Sequence, residues 1–139
     1  VDVPLPFLRS MGLLKNLNPI LTADLLHILR SMGHGDVLAV VDCNFPAVEV
    51  ASKTTTGKLV VLAGCDAPDT LNAIASVLPI DAFVDSPLHH MSPSPGIELP
   101  PEGAKVHAAV KAAIGQHTSM QFAPLERFAF YKAARSAFA

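Results

Sequence analysis

The stretch that decides the fold reads MGHGD at residues 32–36, VLAVV at 37–41 and DCNFPA at 42–47. Five successive apolar residues, three of them valine, predict a central strand covered on both faces, as in a layered α/β domain. Polar groups stand at both ends, because His34 lies between two glycines before the apolar run and Asp42 follows it directly. Ligands of such sheets usually lie beyond the carboxyl ends of the strands. We therefore look for function first at this stretch.

Strand-like and helix-like patterns alternate along the rest of the chain, which predicts one α/β domain. Thr22 is the expected N-cap of a first helix, and Gly33 its left-handed stop. Asp66 is expected to cap a second helix that has Pro68 in its first turn. The other predicted elements are strands at 58–62, at 81–84 and around 120–122, a loop from Asp85 to about Gly103, and helices through 106–114 and over 124–139.

The composition limits the class of protein. Half of the 139 residues are hydrophobic and only 16% are charged, below the roughly 25% usual for soluble domains. This shortage of charge predicts self-association into a homo-oligomer. The net charge of −2, without a lysine or arginine cluster, argues against nucleic acid and anionic membranes as partners. No apolar run is long enough to span a bilayer and no signal-peptide pattern is present, so we expect a cytoplasmic protein.

Residues 1–12 and the two cysteines receive no functional role. The first segment has prolines and no periodicity, so we treat 1–12 as a tail and 13–139 as the domain. Cys43 and Cys65 are too few for a disulfide framework and lack metal-ligand spacing, which predicts reduced thiols. Cys43 is expected to be buried and inert, because the adjacent Asp42 carboxylate disfavours a thiolate.

Three side chains carry the candidate chemistry, and each also has a plainer interpretation. Histidine titrates near neutral pH, so His34 is a candidate for proton transfer, although a loop histidine can simply hydrogen-bond a backbone carbonyl. Asp42 can bind a ligand or cap the turn that follows it. Arg127 is expected in the first turn of the last helix, where the helix dipole disfavours a cation, so either it has a function or it pairs with Glu126 or another acid. The residues alone leave these alternatives open.

The other histidines do not indicate a metal centre. His89, His90, His107 and His117 reach a metal-ligand arrangement only if spacings are chosen freely, so we expect no metal site.

Several motifs occur in a fixed order between residues 13 and 139. They are PILTADLL at 19–26, MGHGD at 32–36, DCNFPA at 42–47, LPIDAFVDSP at 78–87 and LERFAFY at 125–131. Together they resemble the ribose pyranase/fucose mutarotase (RbsD/FucU) family, and the forms MGHGD and RFAFY favour its fucose mutarotase branch.

The resemblance implies a mixed β-sheet sandwiched between helices, and oligomers such as rings or decamers that bind a monosaccharide at subunit boundaries. It implies a cofactor-independent mutarotase in which His34 transfers the proton and Asp42 and Arg127 contact the sugar, with L-fucose as the expected substrate. Family members usually continue into a further strand and a Tyr-Gly-Asn segment, whereas this chain ends at Ala139. We therefore expect either a truncated chain or an incomplete site. The loop at 88–101 also departs from the family pattern, which leaves the sugar specificity open.

The chemistry of mutarotation sets a geometric requirement. A proton must leave the anomeric hydroxyl and one must reach the ring oxygen, so that the sugar ring opens and recloses without any cofactor. His34 and Asp42 flank a predicted strand whose ends lie more than ~15 Å apart. A site that uses both must fold the glycine loop back along the sheet or take the two residues from different subunits. The alternative function is a non-catalytic sugar-binding or regulatory protein of the same fold.

Overall fold

The computed structural model describes residues 12–139, so residues 1–11 of the predicted tail lie outside the described residues. Within that range the predicted α/β class is confirmed, because five helices accompany a sheet of two parallel strands. The elements in chain order are α1 Ala23–Ser31, α2 Ala47–Ala51, α3 Ala67–Ala75, β1 Leu88–Ser92, α4 Pro101–Gly115, β2 Phe122–Glu126 and α5 Arg127–Arg135.

The first helix begins as predicted and ends differently. The Thr22 hydroxyl accepts a hydrogen bond from the Leu25 backbone N–H at 3.2 Å, which satisfies one of the free donors of the first turn. At the other end the predicted left-handed stop at Gly33 is wrong, since Met32 caps the helix in an extended conformation. The Asp36 carboxylate accepts the Gly33 N–H at 2.7 Å and turns the chain, and Gly35 takes the left-handed conformation with φ of 84°.

The core lies between α1, α3 and two apolar segments. Leu21, Leu25 and Leu29 pack against Ala73 and Ile74 of α3. The apolar segments cover this cluster with alternate residues, namely Leu38, Val40, Val60 and Leu62. Their intervening residues Ala39, Val41 and Leu59 line a small apolar space together with α2 and α5. Such alternation is the side-chain pattern of extended backbone.

The prediction of a buried regular strand over 37–41 is wrong. Phe138 donates its N–H to the Val37 carbonyl at 2.8 Å, and Ala39 donates to the Ala139 carbonyl at 2.9 Å. In a parallel ladder the Ala39 N–H would bond the carbonyl of Phe138, one residue before Ala139. The two segments therefore form no regular strand pairing. Val37 is exposed. The predicted strand at 58–62 likewise forms no ladder, and Val61 is exposed there.

The predicted strand at 81–84 is also wrong, because this segment is a turn. The Asp81 Oδ1 atom accepts the Phe83 N–H at 2.8 Å, a local bond that competes with strand pairing. Sheet structure appears instead inside the predicted loop at 85–103, where β1 occupies the proline-free residues between Pro87 and Pro93. Proline lacks the N–H that a strand donates, and this window is the longest proline-free one in the loop.

β1 pairs in parallel with β2, in a register that runs from Leu88 opposite Phe122 to Ser92 opposite Glu126. β2 lies later than the predicted strand around 120–122 and displaces the start of the last helix from 124 to Arg127. Glu126 caps that helix, since its Oε2 atom accepts the N–H groups of Phe128 and Ala129 at 2.9 and 3.2 Å. This cap places Arg127 at the first position of α5.

Candidate functional site

His34 is held by a carboxylate from a distant part of the chain. Its Nδ1 atom lies 3.0 Å from Oδ2 of Asp81, and its side chain remains 68% exposed whereas that of Asp81 is 24% exposed. The alternative in which the ring bonds a backbone carbonyl is therefore wrong. A carboxylate on Nδ1 keeps the proton of the neutral ring on that nitrogen and leaves Nε2 as a free acceptor. The arrangement presents a proton acceptor to solvent with its partner half-buried behind it.

Asp81 is a candidate functional residue that the sequence patterns did not single out. It was assigned to a strand, although an aspartate two residues before an aromatic and two after a proline is a turn signal. Its two carboxylate oxygens have different partners. Oδ1 accepts a hydrogen bond from the Phe83 N–H, and Oδ2 lies 3.0 Å from Nδ1 of His34. The Phe83 ring packs edge-on against the His34 ring with centroids 5.7 Å apart. The turn at Asp81 therefore holds both the carboxylate and an aromatic ring against the histidine.

Asp42 caps the turn that follows it, and this plainer interpretation is confirmed. Its Oδ1 atom accepts the Asn44 N–H at 3.0 Å, and its carbonyl accepts the Phe45 N–H at 3.3 Å. The residue is exposed, and its Oδ2 atom has no hydrogen-bond partner within residues 12–139. One oxygen thus fixes the side chain while the other stays open to a ligand, so the two roles are compatible.

Arg127 has no acidic partner in the described part of the chain, which removes the plainer interpretation of this residue. The Glu126 carboxylate is occupied by the helix N-terminus. The Arg127 guanidinium lies instead over the Tyr131 ring, with Cζ 5.8 Å from the ring centroid. Tyr131 is stacked on Phe45 with a centroid distance of 4.8 Å and an angle of 22°. An unpaired, exposed guanidinium at a helix N-terminus is free to bind oxygen atoms of a ligand.

The three candidate residues lie in two separate groups of contacts. The stack of Phe45 on Tyr131 links the turn of Asp42 to the helix of Arg127. His34 contacts Asp81 and Phe83, and over residues 12–139 no hydrogen bond, ion pair or ring contact joins it to Asp42 or Arg127. A cavity of about 350 Å³ between the ends of α3 and α4, lined among others by Ile80 and His117, contains none of the three predicted site residues. Within one chain the predicted site is open to solvent.

The other histidines and the cysteines give less indication of a function. No group of three or more histidine, cysteine or acidic side chains within residues 12–139 is arranged to hold a metal ion. Two of the histidines do meet: the rings of His90 and His107 lie 4.9 Å apart, and burial, followed by the charges of His90 and Lys111, lowers the pKa of His107 below its ordinary value of 6.5.

Cys43 is free and exposed, so the prediction that it is buried is wrong. None of the helices between residues 12 and 139 has both the length and the apolar character to cross a bilayer.

The fold and these side chains define a small α/β protein with a histidine–aspartate pair and an unpaired arginine on its surface. The chain belongs to the RbsD / FucU transport protein family, whose model matches residues 15–139. The family predicted from the motifs is thereby confirmed.

Relatives and solved structures agree with this assignment. The L-fucose mutarotase of Actinobacillus pleuropneumoniae serotype 5b is 34% identical over 128 residues, covering 91% of this chain and 84% of the relative. The fucose mutarotase of Danio rerio is 35% identical over 136 residues, covering 93% and 83%. The crystal structure of the fucose mutarotase of Streptococcus pneumoniae in complex with L-fucose matches with a TM-score of 0.78 at 29% identity, covering 91% of this chain and 85% of that one.

Proposed function

We propose that this chain is an isomerase that interconverts the α and β anomers of a monosaccharide, with L-fucose as the first sugar to test. Relatives named fucose mutarotase at 34 and 35% identity support the reaction class. The observation in this chain that carries the proposal is the contact between His34 Nδ1 and Asp81 at 3.0 Å, since it leaves the other ring nitrogen available to a sugar hydroxyl.

In the proposed reaction, Nε2 of His34 removes the proton of the anomeric hydroxyl. The electron pair of that O–H bond forms the carbonyl at C1, the bond from C1 to the ring oxygen breaks, and the ring oxygen takes up a proton from solvent, to which it returns when the ring closes. The open-chain aldehyde rotates about the bond between C1 and C2, and reversal of the steps closes the ring on the other face. Asp81 stabilises the imidazolium that forms in between, because its carboxylate lies on Nδ1. The sequence of steps consumes nothing and needs no cofactor.

Asp42 and Arg127 are proposed to hold the sugar. The open Oδ2 atom of Asp42 accepts hydrogen bonds from sugar hydroxyls, and the guanidinium of Arg127 donates to sugar oxygens. Sugars present both donors and acceptors, so an acceptor and a rigid set of donors on one surface are complementary to them.

We further propose that the site is completed by a second copy of the chain in a homo-oligomer. His34 lies in one group of contacts and Asp42 and Arg127 lie in the other. Phe83 of the first group is 88% exposed, and Phe128, which follows Arg127 in the chain, is 71% exposed. Exposed aromatic rings beside polar side chains are typical of surfaces that a partner subunit covers.

Exchange NMR on the anomers of L-fucose tests the function. The wild-type protein should accelerate α/β exchange, and His34→Gln should lose most of it, since general acid–base help is worth roughly 10²–10⁴ in rate. His27→Gln is the matched control, because His27 is an exposed histidine on α1 outside both groups of contacts.

Two results would contradict the proposal. If His34→Gln keeps the wild-type exchange rate, the histidine is not the proton-transferring group. If the wild-type protein binds the sugar, as shown by saturation transfer, without faster exchange, the chain is a binding protein and not an isomerase.

A further inference from the structure

Two arginines of α5 lie over the same aromatic ring but differ in their other partner. The Cζ atoms of Arg127 and Arg135 are 5.8 and 5.9 Å from the centroid of Tyr131. Arg135 also donates to the Glu49 carboxylate at 3.2 Å, an acidic partner that it shares with Lys53. Arg127 has no acidic partner within residues 12–139 and rests on the ring alone.

The ring itself is held firmly. Phe45 stacks on Tyr131 at 4.8 Å, and the edge of Phe130 meets Phe45 at 5.9 Å. The Phe45 N–H is bonded to the carbonyl of Asp42. The three rings therefore connect the turn that orients Asp42 to the helix that carries Arg127. The Tyr131 hydroxyl makes no hydrogen bond to any of residues 12–139, so the contacts of this residue are made by its ring.

We propose that Tyr131 is a positioning residue for sugar binding: its aromatic face holds the Arg127 guanidinium, and its contact with Phe45 keeps that guanidinium in a set relation to Asp42. The inference rests on the proposed function and goes beyond it, since it concerns affinity and not proton transfer. Arg127 occupies the first position of a helix, where the dipole disfavours a cation, and its long side chain has many rotamers. The π-face of Tyr131 offsets the unfavourable interaction of the guanidinium with the helix dipole, and it restricts the rotamers of the arginine side chain.

Anomer exchange measured against L-fucose concentration tests the inference. Tyr131→Leu removes the face and should raise KM by about 3- to 10-fold, a range set by the strength of exposed to partly desolvated cation–π contacts, with kcat changed less than twofold. Tyr131→Phe keeps the face without the hydroxyl and should retain the wild-type KM. Thermal unfolding of each variant checks that the chain is folded.

A double-mutant cycle and a matched arginine separate positioning from general stability. With Arg127→Ala already in place, Tyr131→Leu should raise KM no further, because the group that it positions is gone. Arg135→Gln removes the paired arginine from the same ring and should leave KM within twofold of the wild type.

The outcomes are distinct. If the wild-type protein is active, two results overturn the positioning role and leave the proposed function intact. One is that Tyr131→Leu leaves KM unchanged. The other is that Tyr131→Leu and Arg127→Ala raise KM independently. A Tyr131→Phe variant that shares the defect of Tyr131→Leu assigns the effect to the hydroxyl and also overturns it. A wild-type protein that does not accelerate exchange overturns the proposed function itself.

Discussion

At the scale of single residues, Asp81 determines which nitrogen of His34 faces a ligand. Its Oδ2 atom lies 3.0 Å from Nδ1, and its Oδ1 atom maintains the turn through the Phe83 N–H. A carboxylate behind a catalytic imidazole both fixes the tautomer and stabilises the charged ring. Asp81 therefore belongs with His34 in any account of proton transfer.

We predict that Asp81→Asn lowers kcat for anomer exchange by about 10- to 100-fold, part of the full general acid–base effect, with little change in KM. Asparagine keeps an oxygen for the Phe83 N–H, so the turn survives while the negative charge is lost. The rates are measured by exchange NMR, with Asp85→Asn, an exposed aspartate in the same segment, as the control. A normal kcat in Asp81→Asn would show that the carboxylate plays no part in the reaction.

At the scale of elements, a pair of histidines joins α4 to β1. His107 of α4 meets His90 of β1 with ring centroids 4.9 Å apart. Burial, then the charges of His90 and of Lys111 on α4, lowers the pKa of His107 from its ordinary 6.5. The folded protein thus binds this proton more weakly than the unfolded chain. The stabilisation by the neutral pair is fully present above pH 6.5 and is lost as pH falls through the lower pKa of the folded state.

We predict that the free energy of unfolding falls as the pH is lowered below 6.5, and that His107→Gln removes part of this fall. Urea unfolding at a series of pH values measures the effect. His89→Gln, which changes an exposed histidine of β1, is the control and should keep the wild-type pH dependence. An identical pH dependence in His107→Gln and the wild type would show that the pair does not couple protonation to folding.

At the scale of the whole molecule, apolar surface is left uncovered on both sides of the proposed site. Phe83 and Phe128 are the clearest cases, and Val48, Val61 and Ile97 are exposed as well. A chain with 16% charged residues has few polar side chains to spare for this surface. In the homo-oligomer that we propose, a second copy covers this surface and supplies the Arg127 that completes the site of His34.

We predict that two inactive variants restore activity when they are mixed. His34→Gln and Arg127→Ala each damage one group of contacts, so in a shared site a hybrid oligomer contains intact sites built from the undamaged half of each partner. Equal amounts of the two proteins are unfolded and refolded together, and exchange NMR should show recovery toward about a quarter of wild-type activity if subunits mix randomly, because half of the sites receive an intact His34 and half of those receive an intact Arg127. Refolding each variant alone is the control. Sedimentation that finds only monomers, or mixtures as inactive as the separate variants, would place the whole site in one chain.

The sequence by itself determined the features that depend on neighbours along the chain. The Thr22 and Asp66 caps, the α/β class and the family motifs were all readable, because capping and hydrophobic spacing act over a few residues. His34, Asp42 and Arg127 could be selected as candidates for the same reason, but the residues around them left a plainer role open for each.

Only the tertiary structure decided what those candidates contact. It brought Asp81 to His34 and Phe45 to Tyr131, left Arg127 without an acidic partner among residues 12–139, and placed the unpredicted strand β1 beside β2. It also replaced the regular strand over 37–41 with an irregular pairing to Phe138 and Ala139. The physical reason is common to all of these: a hydrogen bond, a ring contact or a strand register between distant segments depends on how the chain packs as a whole, and no local pattern encodes that.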